Sequence, residues 1–145
     1  MVRDHAGGGQ LLTTSRRVAC RRKRLVCAVA FCHDRGIVHQ DLKPENIMVD
    51  ATGHIKLINF GFSTRVMCGQ KLNKFRGTLS HFAPKSILRQ VYEGPPVDTW
   101  SLGVTLYFML TGRHPFMGHT PKDMLRHIVL GAYRDLLRAG WYLCC

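Results

Sequence analysis

The chain has 145 residues, with 21 Lys and Arg against nine Asp and Glu, a formal net charge of +12, and 46% hydrophobic residues. That length suits one domain of average size, and the apolar share excludes a wholly disordered chain. The longest apolar stretch, Leu102 to Leu110, is well short of the ~20 residues a bilayer crossing needs, and no secretory signal pattern opens the chain.

Residues 1–15 are polar and glycine-rich, with Gly7-Gly8-Gly9 before Gln10-Leu11-Leu12. They predict a loop and a short helix, with Thr13, Thr14 and Ser15 as cap candidates for the next one. Residues 16–34 predict a helix, because Val18, Leu25, Val26, Val29 and Cys32 recur at helical spacing. Arg22 falls on that stripe. Burying an unpaired charge is costly, so the first half of the helix is expected to be exposed or poorly packed. Gly36 ends it, and Ile37-Val38 is a short extended piece. Ile47–Val49 and His54–Ile58 predict a small hairpin about the turn Asp50-Ala51-Thr52-Gly53. Residues 61–82, rich in Gly, Ser, Thr and Lys, predict one long loop. Asp98 to Leu110 is apolar nearly all round and predicts a buried central helix stopped by Gly112. Pro121 opens a last helix from Lys122 to about Leu130. The class is mainly α with a small β-hairpin, without internal repeats.

The six cysteines, at 20, 27, 32, 68, 144 and 145, include no C-x-x-C pair and no zinc spacing. Free thiols in a reducing compartment are expected, with a cytoplasmic or nuclear location. Cys27 and Cys32 read as small hydrophobes. Arg16, Arg17, Arg21, Arg22, Lys23 and Arg24 form a basic cluster. No aromatic residue is interleaved to stack bases, so nucleic acid is not an expected partner. His33, His54, His81, His114, His119 and His127 form no ligand set.

The segment His39-Gln40-Asp41-Leu42-Lys43-Pro44-Glu45-Asn46 resembles the catalytic loop of eukaryotic serine/threonine protein kinases, H-R-D-x-K-x-x-N. Asn59-Phe60-Gly61, thirteen residues past Asn46, resembles D-F-G; Ala83-Pro84-Lys85 resembles A-P-E; and Asp98-Thr99-Trp100-Ser101-Leu102-Gly103 resembles the start of the family's central helix. The wording of these segments is most similar to the branch holding the microtubule-affinity-regulating and sperm motility kinases.

The resemblance implies ATP and Mg2+ as cofactors and a protein substrate or kinase partner. It implies Asp41 as catalytic base and Lys43 as the residue stabilising the transferred phosphate. Asn46 and Asn59 would bind magnesium and nucleotide, Met48 is placed with the cofactor-binding residues, and Thr78 faces substrate. Between Ile47 and Val49, Met48 also reads as core. His39 and Phe60 are implied as packing residues, and Asp98 as the anchor of the catalytic loop's backbone.

Several positions depart from the family. Asn59 replaces the carboxylate that holds magnesium. Gln40 replaces the arginine that reads an activation-loop phosphate. Lys74 stands near the activating threonine's place, and Lys85 replaces the glutamate of A-P-E. The resemblance runs from about Gly7 to about Tyr133. It divides the chain into a hinge-side loop and short helix remnant (1–15), a partial helical C-terminal lobe (16–133) and a divergent tail (134–145), with the N-terminal lobe expected to be absent. A truncated, catalytically impaired kinase is therefore expected. Three readings stay open: an active kinase, a non-catalytic binding module, and a decayed fragment without a stable fold.

Overall fold

Leu25 and Val29, one helical turn apart, are buried almost completely. They lie on helix α1, Ser15–His33. In the computed structural model, which describes residues 15–133, these two side chains join Leu42, Ile47 and Leu102 in one apolar cluster. The readings of the glycine-rich start, the short helix at 10–12, the caps Thr13 and Thr14, and the tail at 134–145 lie outside the described residues.

The expected apolar stripe of α1 is narrower than its spacing suggests. Val26 is 44% exposed, and Cys27 is exposed rather than packed. Cys32 is half-buried, and burial pushes its thiol pKa up. Ala19 and Cys20 are exposed and Arg22 is half-buried, so the first half of the helix meets the core only lightly. Arg24 reaches across instead, and its Nη1 donates to the Gly53 carbonyl at 2.5 Å. One member of the basic cluster thus ties α1 to the hairpin turn.

Among the described residues six short strands follow. They are β1 (Ile37–Val38), β2 (Ile47–Val49), β3 (Ile55–Leu57), β4 (Thr64–Arg65), β5 (Lys71–Leu72) and β6 (Tyr92–Glu93). They form three two-stranded antiparallel sheets, β1 with β4, β2 with β3, and β5 with β6. The β2–β3 pair is the expected hairpin. Its turn is held by the Asp50 carboxylate, which accepts the Thr52 N–H, the Thr52 hydroxyl and the His54 N–H. The segment 61–82 is not one long loop. It carries β4 and β5, and a 3-10 turn at Leu79–His81.

Helix α2 is a single turn, Pro84–Ile87, and α3 runs Gly94–Thr111, starting four residues earlier than its apolar pattern predicts. Pro95 and Pro96 sit in its first turn, where a missing N–H leaves no helical bond unmade. Gly94 packs so closely on the Val38 side chain that a Cβ would have no room. Asp98, Ser101, Leu102, Val104 and Thr105 are buried. Leu106 to Leu110 are only half-buried, so the helix is central along its first part and not all round. Helix α4, Pro121–Leu130, is capped by Thr120, whose hydroxyl oxygen accepts the Asp123 N–H at 3.1 Å. A second cluster of Val104, Phe116 and Ile128 joins α3 to α4, with Trp100 stacked on Phe116. Among the described residues no helix is long and apolar enough to cross a membrane.

Candidate active site

The loop His39–Asn46 is positioned from below by one buried carboxylate. Asp98 is 1% exposed. Its Oδ2 accepts the His39 N–H at 2.7 Å, and its Oδ1 accepts the Gln40 N–H at 2.8 Å. His33 Nε2 lies 2.9 Å from the same Oδ2. Hydrogen bonds to a charged acceptor are among the stronger ones, and a buried amide left unpaired is costly. This bridge from α3 therefore fixes the loop's backbone, as the resemblance implies. Gln40 turns through a left-handed backbone, φ +63°. That conformation is costly for a residue with a Cβ, and the Asp98 bond holds it. The His39 ring, 1% exposed, accepts the Asp41 N–H at Nδ1 and donates from Nε2 to the Ile58 carbonyl.

Asp41 is then the hub of one hydrogen-bonded group. Its Oδ1 accepts the Thr78 hydroxyl at 2.7 Å. Its Oδ2 accepts Asn46 Nδ2 at 2.9 Å and lies 3.1 Å from Lys43 Nζ. Lys43 Nζ also donates to Thr78 Oγ1 at 2.7 Å. A carboxylate, a lysine and a threonine hydroxyl thus close a ring at the surface of the loop. Asn46 Nδ2 additionally donates to the Asp41 carbonyl at 2.7 Å, so this side chain shapes the loop that carries the carboxylate.

Asn59 also belongs to this group. Its backbone is left-handed, φ +63°, and its Nδ2 donates to Asn46 Oδ1 at 3.3 Å. Magnesium demands near-ideal octahedral oxygen ligation and is usually bound through carboxylates. Asn46 and Asn59 offer one neutral amide oxygen each, and that of Asn46 already accepts the Asn59 amide. Asp41 supplies one carboxylate. The set present does not fit a hard dication. Among the described residues no group of three or more His, Cys, Asp and Glu could hold a metal ion.

Asp41, Lys43, Asn46, Asn59 and Thr78 are therefore brought together, and Met48 is not part of their network. It is half-buried on β2, opposite Lys56 on β3, between the buried Ile47 and Val49 whose side chains point to the other face. Phe60 departs from its packing expectation. It is 41% exposed, although its ring centroid lies 4.8 Å from that of His39. Lys85 is exposed, so its charge is solvated. Lys74 is exposed too, and its carbonyl accepts the Tyr92 hydroxyl at 2.5 Å.

Two positioning features lie beyond the sequence reading. Gly77 has φ +110°, and a Cβ there would meet the Gln40 carbonyl oxygen at 2.5 Å. The available signal is a glycine immediately before Thr78. His33 pairs with Asp98 across 65 residues. That pairing has no local signal in the sequence.

The description "Protein kinase domain" belongs to the family model that matches residues 9–138. Sperm motility kinase 2B of Mus musculus is 50% identical over 111 residues, 77% of this chain and 23% of that protein. Sperm motility kinase 3A of Mus musculus is 50% identical over 111 residues, covering 77% of this chain and 22% of the relative. Sperm motility kinase Z of Mus musculus is 37% identical over 141 residues, 92% of this chain and 28% of the relative. The chain thus spans between 22% and 28% of the length of these curated relatives.

Proposed function

This chain belongs to the protein kinase family, and from that premise we propose that it holds a serine- or threonine-bearing segment of a protein partner against Asp41 while transferring phosphate weakly or not at all. The observation that carries this reading is an asymmetry within one site. The half that meets a hydroxyl group is complete, with Asp41, Lys43 and Thr78 mutually bonded at 2.7 to 3.1 Å. The half that would meet magnesium consists of two amides bonded to each other.

The family uses ATP and Mg2+ in general, and Asp41 would accept the hydroxyl proton in that chemistry. With Asn59 in place of a carboxylate, one preorganised electrostatic contact is lost, which typically lowers rate by ~10²–10³. We place the protein in the cytoplasm or nucleus, where unpaired thiols such as the free Cys20, Cys27, Cys32 and Cys68 persist.

A phosphotransfer assay with radiolabelled ATP on a serine-bearing peptide tests the catalytic half of the proposal. The expected result is turnover that is absent, or that Asn59→Asp raises by ~10²–10³. Turnover by the unaltered chain that Asp41→Ala abolishes and Asn59→Asp does not raise would overturn it.

A second reading, a piece of the fold with little stability alone, is favoured by the exposed apolar surface of Val26, Phe31, Phe60 and Phe62, each between 41% and 56% exposed. A cooperative thermal transition of the chain would exclude it.

A further inference from the structure

Between Asp50 and Glu93 the chain carries seven basic residues and no acidic one. All seven, Lys56, Arg65, Lys71, Lys74, Arg76, Lys85 and Arg89, are exposed. None forms an ion pair with a carboxylate among the described residues. A run of one sign over that length leaves a positive surface, and such a field draws the opposite charge.

The contacts locate part of this charge, Lys74, Arg76 and Arg89, near the hydroxyl-binding half of the site. The stretch Lys74–Thr78 passes over the catalytic loop. Gly77 packs on the Gln40 carbonyl oxygen, and a Cβ on it would come within 3.7 Å of Asp41 Oδ1. Thr78 itself donates to Asp41. Phe75, half exposed, lies edge-on to the buried Phe82 with centroids 4.5 Å apart, and the Arg89 guanidinium stands 6.0 Å from the Phe75 ring. Lys71 and Lys85 line a neighbouring cleft of about 460 Å³ with Tyr92 and Trp100. Glu93, opposite Lys71 in the β5–β6 register, is the one acidic residue lining it.

We infer that the partner segment held at Asp41 is acidic, with Asp and Glu flanking its serine or threonine and lying along Lys74, Arg76 and Arg89. This rests on the function proposed above and names the chemistry of the partner. A peptide is favoured over nucleic acid because Lys74, Arg76 and Arg89 lie beside a carboxylate–lysine–threonine ring suited to one aliphatic hydroxyl.

Fluorescence polarisation of the full chain against labelled serine-centred peptides tests the inference. The peptides differ only in their flanks: acidic, neutral or basic. The acidic peptide is expected to bind about tenfold tighter than the neutral one, as a few exposed ion pairs allow, and to lose that advantage at high salt. The triple variant Lys74→Glu, Arg76→Glu, Arg89→Glu is expected to prefer the basic peptide. Should it not fold, Arg76→Gln alone is expected to weaken the acidic peptide about two- to threefold.

Equal binding of all three peptides by the unaltered chain, or preference for the basic one, overturns the acidic inference and leaves the hydroxyl-binding function standing. Tighter binding of a single-stranded oligothymidylate than of the acidic peptide overturns it in favour of a nucleic-acid surface. Binding of no peptide at all overturns both.

Discussion

The carboxylate of Asp98, early in α3, accepts the main-chain N–H of His39 at 2.7 Å across 59 residues of chain. This bond joins the central helix to the loop that carries Asp41. Asp98→Ala removes the acceptor of two buried amides, and each buried donor left without a partner costs about 1–3 kcal/mol. The urea midpoint is expected to fall accordingly. A midpoint unchanged within error would mean that the loop is held elsewhere.

Gly77→Ala is the sharpest backbone test. At φ +110° any side chain is strained, and here the Cβ also meets the Gln40 carbonyl oxygen. A cost of about 1–3 kcal/mol from the strained backbone is expected, together with loss of peptide binding as Thr78 is displaced from Asp41. Chemical denaturation and fluorescence polarisation check the two effects separately.

Leu25 is fully buried in the cluster that joins α1 to the hairpin and α3. Leu25→Ala is expected to destabilise the chain by about 2–5 kcal/mol, through lost transfer energy and the cavity left behind. Val26→Ala, on the exposed side of the same helix, is expected to change the midpoint by far less. Equal losses from both would place the α1 face differently.

Acid stability should fall in two separate windows. His81 is 4% exposed, and burial, with some repulsion from His114, pushes its pKa down from 6.5 to about 4. The unfolded chain takes up this proton first. Stability is therefore full above pH 6.5 and declines as pH falls toward 4. Asp50 is held down to about 2, chiefly by the Thr52 hydroxyl, so its contribution is present above 3.8 and is lost as pH falls from there to about 2. Urea midpoints across pH, compared with His81→Gln, check the first window. The variant should flatten the decline between pH 6.5 and 4, and an undiminished decline would assign it to other groups.

The elements legible in the sequence were those whose signal is local. The hairpin shows as the run Ile47–Val49 and the alternating run His54–Ile58 about Asp50–Gly53, and α4 as Pro121 opening a helix to about Leu130. The two-residue strands β4 and β5 were not legible, because their partners lie at Ile37–Val38 and Tyr92–Glu93 and no local pattern encodes such a pairing. The start of α3 was hidden for a different reason. Gly94-Pro95-Pro96 carries no apolar period, and its glycine is required by a close approach to Val38, a tertiary contact. In the site, Asp41, Lys43, Asn46 and Asn59 are marked by the resemblance of their segments to the family's motifs. That they share one network with Thr78 is a tertiary fact, spanning 37 residues from Asp41. Phe60 was misjudged as a packing residue because a motif records residue type and not exposure.

We propose that the site keeps its hydroxyl-binding half without a working magnesium half. Thermal melts by far-UV circular dichroism, with and without magnesium-ATP, test it most directly. A ligand present at about 100 times its dissociation constant adds about 2.7 kcal/mol, a readily visible shift. The expected result is a cooperative melt that magnesium-ATP leaves in place for the unaltered chain and raises for Asn59→Asp. A melt of the unaltered chain raised by magnesium-ATP would mean that the magnesium half works.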